Sequence, residues 1–219
     1  MTEKPGTPLD PEVDRAPRAL VTTVIVLLVA LLGVVSYLGY LMVAEPRYTS
    51  PGQIEIDAAK AAVRESPRDP GALLELAYAY QKAERFEDAL DRYDEALSIV
   101  PVETAALYNK GVIYLETDRE DEAEEALWAV LEINDEHVLA ARTLGEYYAQ
   151  RGHYKSLLEA VRPAAVANES SADLQYLMGL AYENLGREDW AEARYRLALK
   201  HYPDMQEARD GLERLGVTP

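Results

Sequence analysis

The residues best equipped for chemistry are three histidines, His137, His153 and His201, and two carboxylate-rich runs, "RFEDALDRYDEA" (85–96) and "EDEAEEA" (120–126). Imidazoles and carboxylates together could ligate a divalent metal or relay protons. Their spacing supports neither use. The histidines fall in separate turns and helix ends, with no carboxylate at a metal-ligand interval such as H-E-x-x-H, and read as solvated. The acidic runs have helical spacing rather than the 12-residue looped pattern of calcium sites, so they read as solvated helix faces. No glycine-rich phosphate loop and no G-x-S-x-G elbow occurs. Cysteine is absent, which removes thiolate ligands, a thiol nucleophile and disulfides. The sequence therefore predicts no catalytic residues, no metal and no cofactor. Asn168 opens "NES", formally a glycosylation acceptor, which matters only in a eukaryotic secretory setting.

Binding is the remaining chemistry, and charge narrows the partner. The 219 residues carry a formal charge of −17, with 48% apolar residues. An acidic surface does not hold phosphates, so nucleic acid is excluded as a partner. The apolar share is enough for a substantial core. Arginine outnumbers lysine and alanine is abundant, a bias of GC-rich bacterial genomes.

Residues 20–44 read "LVTTVIVLLVALLGVVSYLGYLMVA" and contain no charge. At about 1.5 Å per residue they exceed the roughly 30 Å hydrocarbon core of a bilayer. Signal-peptide apolar regions are shorter, so the stretch reads as an uncleaved transmembrane helix over 19–44. Arg15 and Arg18 precede it, with Lys4 further out, and only Arg47 follows closely; the positive-inside bias puts the N-terminus in the cytoplasm of a bacterial cell. Tyr37, Tyr40 and Tyr48 suit the outer headgroup layer. Ala30, Gly33, Ser36 and Gly39 recur every third residue, which admits a homo-oligomer packed through the span, although no GxxxG occurs. Residues 1–18, rich in proline and charge, are expected to be a disordered cytoplasmic tail, and 45–53 a linker.

Beyond the linker one pattern dominates. Tyr80, Tyr114, Tyr148 and Tyr182 stand 34 residues apart, each three residues after a small one: Ala77, Gly111, Gly145 and Gly179. Four blocks follow, 70–103, 104–137, 138–171 and 172–203. The first carries Leu73, Leu76, Ala89, Tyr93, Ala96 and Pro101; the fourth repeats it with Met178, Ala191, Tyr195, Ala198 and Pro203. This resembles the tetratricopeptide repeat, a helix–turn–helix unit of that period with a small residue at position 8, an aromatic at 11 and alanine at 20 and 27. The second block departs with Lys110 for leucine and Asp135 for the closing proline. The third departs with Leu157 at the small position 20 and with Pro163, which loses the hydrogen bond to the Glu159 carbonyl and favours a kink. Residues 54–69 fit a preceding half-repeat with Ala59, Ala62 and Pro67 in phase, and 204–219 fit a capping helix and tail through Met205, Ala208, Leu212 and Leu215. The expected fold is all-α, a transmembrane helix followed by a right-handed superhelical solenoid of four repeats.

Positions 4, 7, 8 and 11 of each first helix lie on one stripe, so the tyrosine ladder is expected to be structural. The resemblance implies that the opposite face of the first helices lines a concave groove that reads a partner. That face holds Leu74, Tyr78 and Gln81, then Tyr108, Asn109, Val112 and Leu115. It continues with Arg142, Glu146 and Gln150, then Tyr176, Leu180, Glu183 and Asn184. Asn109, Arg142 and Lys82 do not reproduce the family's set for gripping a C-terminal carboxylate. An extended peptide or helix with apolar anchors and basic flanks fits better.

These readings converge on a membrane-anchored protein-interaction scaffold with its repeats outside the cytoplasm. An assembly or chaperone factor for secretion or cytochrome c maturation, and a non-catalytic subunit of an envelope enzyme complex, are the alternatives. The topology is testable: Ser98→Cys reacts with a membrane-impermeant maleimide in intact spheroplasts while Thr7→Cys is protected. The opposite labelling reverses the orientation.

Overall fold

A computed structural model describes residues 15–44 and 51–218, with side chains described for 20–40 and 51–218. The chain forms two units. The first is one helix, α1 (Arg15–Ala44). Its stretch Leu20–Tyr40, 21 residues of mean hydropathy 2.6 with no buried side chain, is long and apolar enough to cross a membrane. The helix begins earlier than position 19, since arginine and alanine at 15–19 are good helix formers. The expected tail over 1–14 and the linker residues 45–50, with Lys4, Arg47 and Tyr48, lie outside the described residues.

The second unit is a stack of helices: α2 (Pro51–Glu65), α3 (Pro70–Lys82), α4 (Phe86–Ile99), α5 (Thr104–Glu116), α6 (Glu120–Ile133), α7 (Val138–Arg151), α8 (Tyr154–Ala167), α9 (Ala172–Asn184), α10 (Glu188–His201) and α11 (Gln206–Arg214). The first helices α3, α5, α7, α9 and α11 start 34 residues apart, and so do the second helices α4, α6, α8 and α10. α2 is in phase with the second helices. It starts at Pro51, inside the stretch expected to be linker, because proline suits the first helical turn, where its missing N–H is not needed.

Each first helix ends the same way. The backbone N–H groups of Arg85, Arg119, His153 and Arg187 donate to the carbonyls of Tyr80, Tyr114, Tyr148 and Tyr182, at 2.8–3.0 Å. The residue before each of those donors, Glu84, Asp118, Gly152 or Gly186, has positive φ. This six-to-one closure around a left-handed residue satisfies carbonyls that the helix leaves open. It also brings the next side chain onto the repeat tyrosine. Arg85 lies 4.5 Å from the Tyr80 ring centroid and Arg119 4.4 Å from that of Tyr114. The His153 ring lies 6.3 Å from that of Tyr148.

The two helices of a repeat approach through paired positions 16 residues apart. A Cβ on Gly111 would meet Leu127 at 2.6 Å, one on Gly145 would meet Val161 at 2.6 Å, and one on Gly179 would meet the Tyr195 ring at 2.7 Å. In the first repeat Ala77 and Tyr93, both fully buried, occupy these two positions. The same 16-residue register matches a second set of positions one turn earlier: Leu73 with Ala89, Leu107 with Ala123, Ala141 with Leu157, and Gln175 with Ala191. Each pair holds one small and one larger residue. The bulky Leu157 is therefore accommodated because its counterpart is Ala141, and both are buried in one cluster. The expected weakness at Pro163 does not interrupt α8. At its end the buried Gln175 donates to the Ala165 carbonyl at 2.7 Å and accepts from Arg194 at 3.0 Å, tying the third repeat to the fourth. Asn168 donates to the Ala164 carbonyl at 3.0 Å, so its amide serves the helix end.

Tyr80, Tyr148 and Tyr182 are buried as expected of core rings, whereas Tyr114 is half-exposed. The residue that covers the ring comes from the preceding repeat. Trp128 donates its indole N–H to the Tyr148 hydroxyl at 2.8 Å, and that hydroxyl donates to Glu124 at 2.5 Å. The place of Trp128 is taken, one repeat earlier, by Asp94, which pairs instead with Lys110. The lysine found where leucine is usual thus forms an inter-repeat ion pair and sits 5.8 Å from the Tyr114 ring.

Complementary sizes make a swap testable. Leu157→Ala alone is expected to cost about 2–5 kcal/mol by leaving a cavity, and Ala141→Leu alone about 1–3 kcal/mol by overpacking. In urea unfolding the double variant should be more stable than the sum of the two losses predicts by about 1 kcal/mol or more; strict additivity overturns the pairing.

Candidate partner-binding site

The first helices present their second face through positions outside the stripe of the small residue and the ladder tyrosine. Tyr78 on α3 is 55% exposed. Leu74, one turn before it, is half-buried, and Lys82, one turn after it, places its ammonium 5.9 Å from the Tyr78 ring while pairing with Glu55 at 2.6 Å. On α5, Tyr108 and Val112 are half-buried. The Tyr108 hydroxyl lies 3.5 Å from Thr143 Oγ1 and its ring 5.9 Å from that of His137. On α9, Tyr176 and Leu180 are half-buried, with the Tyr176 ring 6.0 Å from Tyr195. Tyr78 is therefore the most exposed of the three rings, while Tyr108 leans on the next repeat and Tyr176 on Tyr195 of its own repeat.

The polar members of the face do structural service as well. Gln81 accepts a hydrogen bond from the Tyr93 hydroxyl at 2.9 Å, with Asn109 beside that hydroxyl. Glu183, at the equivalent position of the fourth repeat, accepts from Tyr195 and pairs with Arg214 of α11 through both oxygens, at 2.7 and 2.9 Å. The Arg214 bonds, followed by that from Tyr195, hold the Glu183 carboxyl below its ordinary value against the opposing effect of burial. Burial, with the hydrogen bond to Glu183, pushes the Tyr195 hydroxyl far up, so it stays protonated. Arg142 pairs with Glu146 one turn on, at 3.4 Å.

A recess between the second and third repeats takes in Leu115, Glu146 and Gln150 of the expected face together with Glu120, Tyr147 and Arg151, which sequence reasoning missed. The Arg151 guanidinium lies 3.9 Å from the Tyr147 ring centroid and pairs with Glu120, and the Tyr147 hydroxyl donates to the same carboxylate at 3.4 Å. Tyr147 sits next to the ladder tyrosine, and its four-residue spacing from Arg151 was the available signal. His137 also departs from the solvated reading: its Nδ1 accepts from the Ala140 N–H at 3.2 Å and caps α7. His201 is exposed at the end of α10. Among the described residues no group of three histidines or carboxylates could hold a metal ion.

The profile of the tetratricopeptide repeat matches residues 74–138 and again 173–216. No curated protein matches the chain in sequence. Several solved structures do match in fold. One is MamA, 22% identical over 71% of this chain and 96% of its own, with a TM-score of 0.59. Another is YrrB, described as a tetratricopeptide repeat protein with an unusual peptide-binding site, 20% identical over 73% of this chain and 91% of its own, with a TM-score of 0.60. A tetratricopeptide repeat protein from Parabacteroides merdae is 22% identical over 73% of this chain and 64% of its own, with a TM-score of 0.59.

The depressed Glu183 carboxyl makes the attachment of α11 sensitive to acid. A carboxylate whose folded value lies below its unfolded one, about 4.3 for glutamate, stabilises the fold above that unfolded value and loses the contribution as pH falls through the folded one. Glu183→Gln should lower the urea midpoint at pH 7, and the gap from the native chain should narrow at pH 3. A gap that stays constant between the two pH values removes the charge from the account.

Proposed function

The chain belongs to the tetratricopeptide repeat family, and from that premise we propose that it is a protein-binding scaffold held to a bacterial cytoplasmic membrane by α1. In this reading its repeats face outward, and its groove is the face made by Leu74, Tyr78, Gln81, Tyr108, Asn109, Val112, Arg142, Glu146, Tyr176, Leu180 and Glu183. The peptide-binding description of YrrB supports a peptide or helix as the occupant.

One observation carries the partner's chemistry. Every cation on this face is neutralised within the chain: Lys82 by Glu55, Arg142 by Glu146 and Arg214 by Glu183. The carboxylates Glu75, Glu116, Asp173 and Glu207 are exposed, and no ion pair engages them among the described residues. The spare charge is thus all negative and lies among apolar side chains. It belongs to a region in which 34 acidic against 18 basic residues follow Arg47, a net charge of −16. A partner segment with apolar anchors flanked by lysine or arginine fits both features. The apolar anchors set the dissociation rate, and the long-range field speeds encounter.

The test uses the full chain in its membrane, with partners captured by crosslinking. Tyr78→Ala together with Tyr108→Ala should speed dissociation of the captured partner about tenfold or more, roughly 1.4 kcal/mol, with the circular dichroism spectrum unchanged. Raising salt from about 0.1 to 1 M, which shortens the Debye length from about 10 to 3 Å, should chiefly slow association. Unchanged binding by the double variant, or partners acidic at their contact surface, defeats the proposal.

A further inference from the structure

The stack begins with half a repeat. α2 is in phase with the second helices α4, α6, α8 and α10, and within the second unit no first helix precedes it. One period before α3 the sequence is "SYLGYLMVAEPRY" (36–48), which supplies the end of α1 and places Pro46 where a first helix carries its aromatic. Among the described residues of the second unit, the surface that a first helix covers in each of the four repeats is left to α2 and α3 alone. It is a shallow recess lined by Ala58, Ala59, Tyr78 and Ala79, with Glu55 and Glu75 on its rim. Ile54, one turn before Ala58, is 59% exposed.

The repeat register specifies what would fill this recess. Ala59 stands at the position that holds Tyr93, Leu127, Val161 and Tyr195 in the complete repeats, where each faces alanine or glycine on its own first helix. The sizes are reversed here: a small residue on the second helix calls for a large one on the incoming helix. One turn earlier Glu55 stands where the complete repeats have Ala89, Ala123, Leu157 and Ala191. Glu55 is paired with Lys82 at 2.6 Å, and Glu75, which no ion pair engages among the described residues, leaves that end of the recess net acidic. We propose that the α2–α3 recess is a second docking site, which meets the groove at Tyr78 and Glu75 but is otherwise lined by α2 and Ala79, and that it completes the half-repeat with an amphipathic helix from a partner protein. That helix carries lysine or arginine at one position and leucine, methionine or phenylalanine four residues later.

A second copy of the chain is the evident competitor, because among the described residues α11 is a first helix with no second helix after it. Its residue types argue against it. In the repeat frame Arg209 of α11 would face Glu55, but Glu213 would face Ala59, where the register calls for a large apolar side chain. Burying a carboxylate against alanine opposes docking.

The probe is a fluorescein-labelled peptide with the sequence of residues 138–151 bearing Ala141→Lys and Gly145→Leu, titrated into the full chain in detergent micelles and read by anisotropy. It should bind about tenfold or more tightly than the unsubstituted peptide. Ala58→Arg, at an exposed position, should weaken it by a similar factor, and Tyr108→Ala should leave it within about twofold. Ala59→Leu, which restores the large residue of the complete repeats, should reverse the preference toward the peptide that keeps Gly145 and carries only Ala141→Lys. Equal affinity for the glycine and leucine peptides, or binding indifferent to Ala58→Arg, overturns the proposal. So does a sedimenting oligomer that Ala58→Arg dissociates, which assigns the recess to a second copy. Failure of the groove variant Tyr108→Ala to affect a captured partner bears on the groove alone.

Discussion

At the small residue of every first helix, two helix backbones come so close that only one of the facing side chains can be large. Helices packed this way gain dispersion contacts along their whole length but tolerate no second bulky residue. The rest of the unit follows from that constraint. The glycine or alanine of the first helix fixes the distance, its counterpart sixteen residues on fills the space, and the aromatic that follows seals the edge against the previous layer. Because the constraint concerns the pair, its members can trade sizes, as Ala141 and Leu157 do. A repeat that departs from the usual residue at one position is then still sound.

Charge is organised on the same frame. Inter-repeat cations are placed where they can stack on a tyrosine and reach a carboxylate, as Lys110, Arg119 and Arg151 do. These pairs are partly solvated, and each is worth little alone. Their collective effect is to neutralise the positive charge internally and leave the excess negative charge to the surface. A surface so arranged repels acidic proteins and draws basic ones from solution.

The period, the small-then-aromatic spacing and the span of α1 were legible because each is a property of residue type at a fixed interval. What stayed hidden depends on a neighbour from another layer. Tyr114 has the same local sequence signature as Tyr148, yet it is half-exposed, with Asp94 standing where Trp128 bonds the Tyr148 hydroxyl. Lys110 looked like a defect until Asp94 was seen to meet it. His137 looked solvated because capping through Nδ1 has no pattern beyond the three residues to Ala140. On the proposed binding face, Gln81 and Glu183 carry internal hydrogen bonds that no single-helix projection reveals.

The left-handed turns inside the repeats divide the stack unequally. Gly152 and Gly186 adopt φ of 71° without cost, whereas Glu84 and Asp118 hold 56° and 57° against their own Cβ, a strain of about 1 kcal/mol each. In a linear array, where each layer is supported only by its neighbours, such strain lowers the threshold for local unravelling. The first two repeats are therefore the compliant segment and the last two the stiff one. Under tension along the chain, the first two repeats yield before the last two and act as a mechanical fuse, while the C-terminal layers keep their shape.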